Sequence, residues 1–174
     1  MLFLSTMIVI TLFIIGLISR IIPHAPNFVP IVAIALFSGA YLDKKYSLWL
    51  ALGLYVISDL IIGLHQVVIF TWTSVFIITL IGIALNKRKS PGRTLAYTLL
   101  SSVLFFIVTN FGVWASGWYP KTLQGLTQCY IAALPFFRTS LLSNLAYVTV
   151  LFGVYEFFTY RLKSKSLKTA LLLS

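Results

Sequence analysis

The chain has 174 residues, of which 60% are hydrophobic and 9% charged, with a formal net charge of +10. A mean hydropathy of +1.01 excludes a soluble globular domain, because a core of this size could not bury so much apolar surface. Nucleic-acid binding is excluded on position, since the basic residues sit at the ends of apolar runs and no soluble basic domain exists to carry it.

The apolar runs read as six spans, roughly 2–22, 28–42, 46–64, 67–86, 94–117 and 129–160. The fold class expected is therefore an all-α polytopic membrane helical bundle, one domain over 1–174, with both termini on the same side. The first run lacks a basic leading segment and a small-residue cleavage site, so a retained helix is expected rather than a signal peptide. It ends at Pro23-His24-Ala25-Pro26, where two prolines stop helical continuation. Asn27 suits an N-cap and Pro30 the first turn of the next helix. That second helix, about 22 Å long by its rise per residue, is short for a full span. It is expected to start below the surface and to draw Pro23–Asn27 into an embedded pocket.

Ala35 and Gly39 form a small-xxx-small pair, and Ser47 and Ala51 repeat the spacing one helix later. Such residues let helix backbones approach closely in lipid. Two uses stay open for these four: packing within the bundle, or docking to another membrane protein. Asp43-Lys44-Lys45 reads as a tight turn, and the third span carries Ser58-Asp59 near its far end. Residues 86–93 form the clearest loop, with turn chemistry at Ser90-Pro91-Gly92. The fifth span ends in Thr109-Asn110-Phe111-Gly112-Val113-Trp114. A polar, aromatic segment, Trp118–Gln128, then leads into a last helix containing Pro135, Arg138 and Asn144.

Of the 13 Lys and Arg residues, 10 fall on one side: Lys44, Lys45, Lys87, Arg88, Lys89, Arg93, Arg161, Lys163, Lys165 and Lys168. The positive-inside rule makes that side cytoplasmic. His24, Asn27, Asp59, His65, Gln66, Asn110, Trp114, Trp118, Tyr119, Gln124, Gln128, Cys129 and Arg138 gather on the other. Polar groups are costly in hydrocarbon, so this one-sided cluster predicts an outward-facing pocket.

Within it, Asp59 and Arg138 lie at similar depth and are expected to form an ion pair, or to leave Arg138 for a ligand carboxylate or phosphate. His24 and His65 fit no metal-ligand spacing, and His65, six residues after Asp59, does not share its helical face. Trp114, Trp118, Tyr119 and Tyr130 read as an interfacial aromatic belt or as a stacking platform for a flat ring. Trp49 and Trp72 are expected to make lipid or packing contacts, and Glu156 to pair with Arg161. Cys129 has no local base and reads as a small buried hydrophobe. No phosphate-binding loop, metalloprotease motif or serine elbow occurs, and no cofactor is expected.

The stretch Pro23-His-Ala-Pro-Asn-Phe-Val-Pro-Ile-Val-Ala-Ile-Ala-Leu-Phe-Ser-Gly-Ala40 resembles the signature of an uncharacterised bacterial family of small six-helix membrane proteins. Ser58–Gly63, Thr109–Trp114, Trp118–Pro120 and Ala133–Phe137 resemble it too. More distantly, the chain resembles the substrate-binding S-components of energy-coupling factor vitamin transporters. That likeness implies an outward vitamin pocket and a membrane coupling subunit driven by ATPases. Ala35, Gly39, Ser47 and Ala51 would then be the docking residues, although the alanine pair of that family is not reproduced cleanly. Some solitary S-components of this size handle cobalamin with a cysteine near the cobalt, and Cys129 lies on the corresponding side.

These readings converge on a multi-pass protein of a bacterial cytoplasmic membrane that captures a small vitamin-like, ring-containing solute from outside. An anionic solute is one option. Asn27, Asn110 and Asn144 would supply hydrogen bonds, with Trp114, Trp118 and Tyr119 stacking, Arg138 neutralising charge and Asp59 orienting it; His65 is counted among the same substrate-binding residues. Two alternatives stay open: a membrane enzyme acting on a lipid or lipid-linked substrate, and a non-catalytic assembly subunit.

Overall fold

A computed structural model of the chain describes residues 2–23 and 26–172, with side chains described for 7–23 and 26–161. Six helices account for the described chain: α1 (Leu2–Ile21), α2 (Ile31–Tyr41), α3 (Lys44–Ile62), α4 (Val68–Asn86), α5 (Pro91–Ala115) and α6 (Leu123–Leu172). Four of them, α3 to α6, contain stretches long and apolar enough to cross a membrane; Met7–Ile21 and Ile31–Tyr41 are shorter apolar helices. The expected all-α membrane bundle is thus the architecture found.

Local chemistry sets the boundaries. Ser90 caps α5, its hydroxyl accepting from the Arg93 amide, and Pro91 occupies the first turn, where a missing N–H costs nothing. Gly63 closes α3 at φ 115°, a conformation that side-chain-bearing residues avoid. The second helix is even shorter than expected. Pro30, not Asn27, occupies its N-cap position, and its 11 residues give only about 16 Å of helix.

Every residue of α2 from Ile31 to Ala40 is buried. It forms the centre of the bundle, touching α1, α3, α4, α5 and α6, while α1, α3, α4, α5 and α6 follow one another around it. Among the described residues α1 and α6 do not meet. The tightest approach joins α2 to α4. A Cβ added to Gly39 would collide with the α4 backbone at Thr79 and Gly82, and one added to Gly82 with the α2 backbone at Leu36 and Gly39. In lipid, where water expulsion does not drive association, such backbone contact is a main source of helix pairing.

Ala35, Gly39, Ser47 and Ala51 are all buried here, so the small-residue surface is spent on packing inside the bundle rather than displayed for docking. Ser38 shows the same economy, its hydroxyl reaching the carbonyls of Ala35 at 2.9 Å and Ser47 at 3.2 Å, which ties α2 to α3. The buried hydroxyls of Thr79 and Ser102 donate back to their own helices and carry no unmet demand into the core, whereas that of Ser101 is buried without a partner among the described residues.

Candidate functional site

The polar groups at the end of the bundle opposite the basic loops divide into two sets, a cavity and a charged cluster. Two adjoining cavities of ≈ 180 and ≈ 190 Å³ share Asn27, Phe105, Thr109 and Ser140 as walls. Asn110, Ser102 and Phe137 complete the first; Tyr55, Thr71 and Asn144 complete the second. Asn27 forms the lip in a left-handed conformation, φ 60°, which asparagine tolerates better than most side chains. The loop behind it is pinned where the Ser143 hydroxyl donates to the Val29 carbonyl at 3.4 Å.

The opening follows from the course of α6. Cys129 meets the Asn110 carbonyl at 3.4 Å, and the Asn144 amide donates to the Ser102 hydroxyl at 3.0 Å. Between those points α6 advances fifteen residues and α5 only eight, about 22 Å against 12 Å. The two helices therefore do not keep a constant register over this interval, and the first cavity lies between them, beside the Phe106–Phe137 ring contact. Pro135 lies in this interval, where it removes a backbone donor from α6. The amide of Asn110 is turned back to the Phe106 carbonyl at 2.8 Å, leaving its side-chain oxygen as the acceptor.

The charged cluster lies on the far side of Tyr55. Asp59 is 1% exposed and its carboxylate accepts from the Arg20 guanidinium at 2.7 Å and the Trp72 indole N–H at 2.8 Å. Arg20 also donates to the Ser58 hydroxyl at 2.7 Å and lies 4.0 Å over the Tyr55 ring. The expected Asp59–Arg138 pair is not formed. Arg20, in the last turn of α1, reaches the carboxylate because α1 packs on α3. Trp72 likewise proves to be a hydrogen-bond donor, not a simple packing residue. His65 returns to Asp59, Nε2 to carboxylate 3.8 Å, because Gly63 ends the helix and reverses the chain. The six-residue spacing that separates the two on a helix does not apply across that turn. The His65 Nδ1 is buried without a hydrogen-bond partner among the described residues. Those residues contain no group of three or more His, Cys, Asp or Glu fit for a metal, and His24 lies outside them.

The remaining expected site residues are placed elsewhere. Arg138 is exposed on the outer surface of α6 and lines neither cavity. Trp114 donates to the Pro120 carbonyl at 2.9 Å beneath Lys121, and Trp118 donates to the Gln66 side chain at 2.7 Å. Trp114, at the end of α5, and Trp118 and Tyr119, in the α5–α6 connection, line neither cavity. Glu156 accepts from the Tyr41 hydroxyl at 2.6 Å rather than pairing with Arg161, which lies over the Phe157 ring. Cys129 is buried, as read.

Sequence reasoning missed Arg20 in the charged cluster and, in the cavity walls, Tyr55, Thr71, Ser102, Phe105, Phe106, Thr109, Phe137 and Ser140. Arg20 left a trace: it is one of only three basic residues, with Lys121 and Arg138, outside the one-sided set of ten.

Residues 2–167 match the family model DUF6580, a family of unknown function. The chain belongs to this family. That agrees with the resemblance of segment 23–40 to an uncharacterised family, and it brings no link to S-components. No curated protein and no solved structure matches the chain. The DUF6580 match spans the cavity and the charged cluster together.

Proposed function

We propose that this protein binds a small, neutral, ring-containing solute in the Asn27–Asn144 cavity and serves as the solute-capturing subunit of a membrane transport system. The observation that carries this reading is the cavity lining. Asn27, Asn110, Asn144, Ser102, Thr109 and Ser140 supply amides and hydroxyls, Phe105, Phe106, Phe137 and Tyr55 supply ring faces, and among the described residues no charged side chain lines either cavity. Placed amides and hydroxyls set among aromatic ring faces are groups that fix the orientation of a small molecule in a pocket. The absence of lining charge, with Arg138 on the outer surface, favours a neutral solute over an anionic one.

On the positive-inside orientation the cavity faces outward, beneath the loop that precedes a short central helix. Six helices, a pocket at one end and this chain length fit the S-component-like role; the coupling module would have to engage a surface other than Ala35, Gly39, Ser47 and Ala51. Lipid enzymology through Asp59 has less support, because that carboxylate is buried and already accepts from two donors.

The test is mass spectrometry of small molecules released from gently purified, detergent-solubilised protein. A stoichiometric ring compound that is lost in Asn144→Leu and retained in Arg138→Ala supports the proposal. Protein that carries only phospholipid and shows no thermal shift across a panel of vitamins overturns it.

A further inference from the structure

A larger cavity, ≈ 530 Å³, opens at the basic end between α5 and α6 and shares no wall with the amide-lined pair. Leu95, Leu145, Val148 and Phe152 form its inner wall, and Gly153 leaves open space where a side chain would project. Two of the three threonines in the lining, Thr98 and Thr149, ask nothing of an occupant. Thr98 donates to the Thr94 carbonyl and Thr149 to the Leu145 carbonyl, each at 2.7 Å. The interior therefore suits hydrocarbon and penalises a solute that brings unmatched polar groups.

Chemistry changes at the mouth. Lys89 and Ser90 line it, with Lys89 donating to the Ala40 carbonyl at 3.2 Å and lying 4.1 Å over the Tyr41 ring, and Lys87, Arg88 and Arg93 flank them in sequence. One carboxylate, Glu156, lies in the lining, where it accepts from the Tyr41 hydroxyl, and the four basic residues of the α4–α5 connection outnumber it. The positive end of the 25-residue helix α5 begins at the same place. A slot for an apolar chain beneath an excess of cations is complementary to an anionic amphiphile.

We propose that this cleft is a binding site for one anionic phospholipid, its acyl chain lying between α5 and α6 and its phosphate among the basic residues of the α4–α5 loop. Basic pockets between transmembrane helices recognise lipid headgroups in this way. The site is separate from the solute cavity, and its occupation does not depend on the transport reading.

Delipidated protein in detergent is titrated with phosphatidylglycerol or phosphatidylcholine of the same acyl chains and followed by native mass spectrometry. One phosphatidylglycerol is expected to bind about tenfold tighter than phosphatidylcholine, the size expected from one or two cations near a phosphate. Removing Arg88 and Arg93 together (R88A/R93A) should bring the two lipids to near parity. Gly153→Phe, or Thr149→Phe where the first does not fold, should fill the cleft and abolish the preference. Gly53→Phe, at an α3 glycine with equally open surroundings, should leave it intact. Equal binding of the two lipids by the unaltered protein, or an undiminished preference in a folded cleft-filling variant, overturns the proposal.

Discussion

The guanidinium of Arg20 is held between two residues of α3, the carboxylate of Asp59 at 2.7 Å and the ring of Tyr55 at 4.0 Å. Tyr55 is also a wall of the amide-lined cavity. The first helix, none of whose described side chains lines the cavity, is thereby coupled to it through one aromatic ring. Removing either member of a buried, hydrogen-bonded pair typically costs about 3–5 kcal/mol, because the other charge is left without compensation. We expect Arg20→Ala and Asp59→Ala each to lower thermal stability strongly. The double variant should lose far less than the sum, which a double-mutant cycle in detergent will measure.

Contact between α2 and α4 leaves no room for a side chain at Gly39 or Gly82. Gly39→Ala and Gly82→Ala should each cost about 1–3 kcal/mol through overpacking. Gly53→Ala, which meets open space, should be near neutral. Midpoints of unfolding for the three variants decide the matter.

The Asn144 amide, which donates to Ser102, lies where α6 rejoins α5 below the cavity. Its replacement by leucine should weaken solute binding by about tenfold or more, the worth of one or two buried hydrogen bonds. Ser102→Ala should have a smaller effect, since it leaves the amide in place. Titration of the co-purified solute against both variants is the readout.

The outer loops are linked by the bond from Trp118 to Gln66, which spans 52 positions of sequence at 2.7 Å. Since neither residue lines the cavity, Trp118→Phe and Gln66→Ala should change solute affinity by less than about threefold while increasing hydrogen exchange in 116–122. Loss of affinity as large as that of Asn144→Leu would return Trp118 to the role of a stacking platform.

Much of this was legible in the chain. The six helices follow from apolar runs broken by Pro23-Pro26, Asp43-Lys45, Gly63, Ser90-Gly92 and the polar segment at Trp118-Pro120, because in lipid the backbone must pair within each helix until such a break. Asn27, Asn110 and Asn144 were recognisable because amides in apolar surroundings need partners, and the fold brings all three to the adjoining cavities. Arg138 was misdirected by the same reasoning. Depth along α6 suggested a pocket residue, but one step along a helix turns the side chain by about 100°. Phe137 therefore faces the cavity while Arg138 faces out.

The sequence by itself determined the membrane bundle, the number of helices, the shortness of α2 and the end at which the uncharged polar groups collect. Those properties depend on length, composition and chain breaks, all of which are local. Only the tertiary structure decided which polar group meets which: Arg20 rather than Arg138 on Asp59, Tyr41 rather than Arg161 on Glu156, and the small residues of α2 turned inward. The reason is that helices in lipid are apolar on every face. Their hydrophobic pattern therefore does not say which face turns to a neighbour, and close packing at sites such as Gly39 and Gly82 makes that choice.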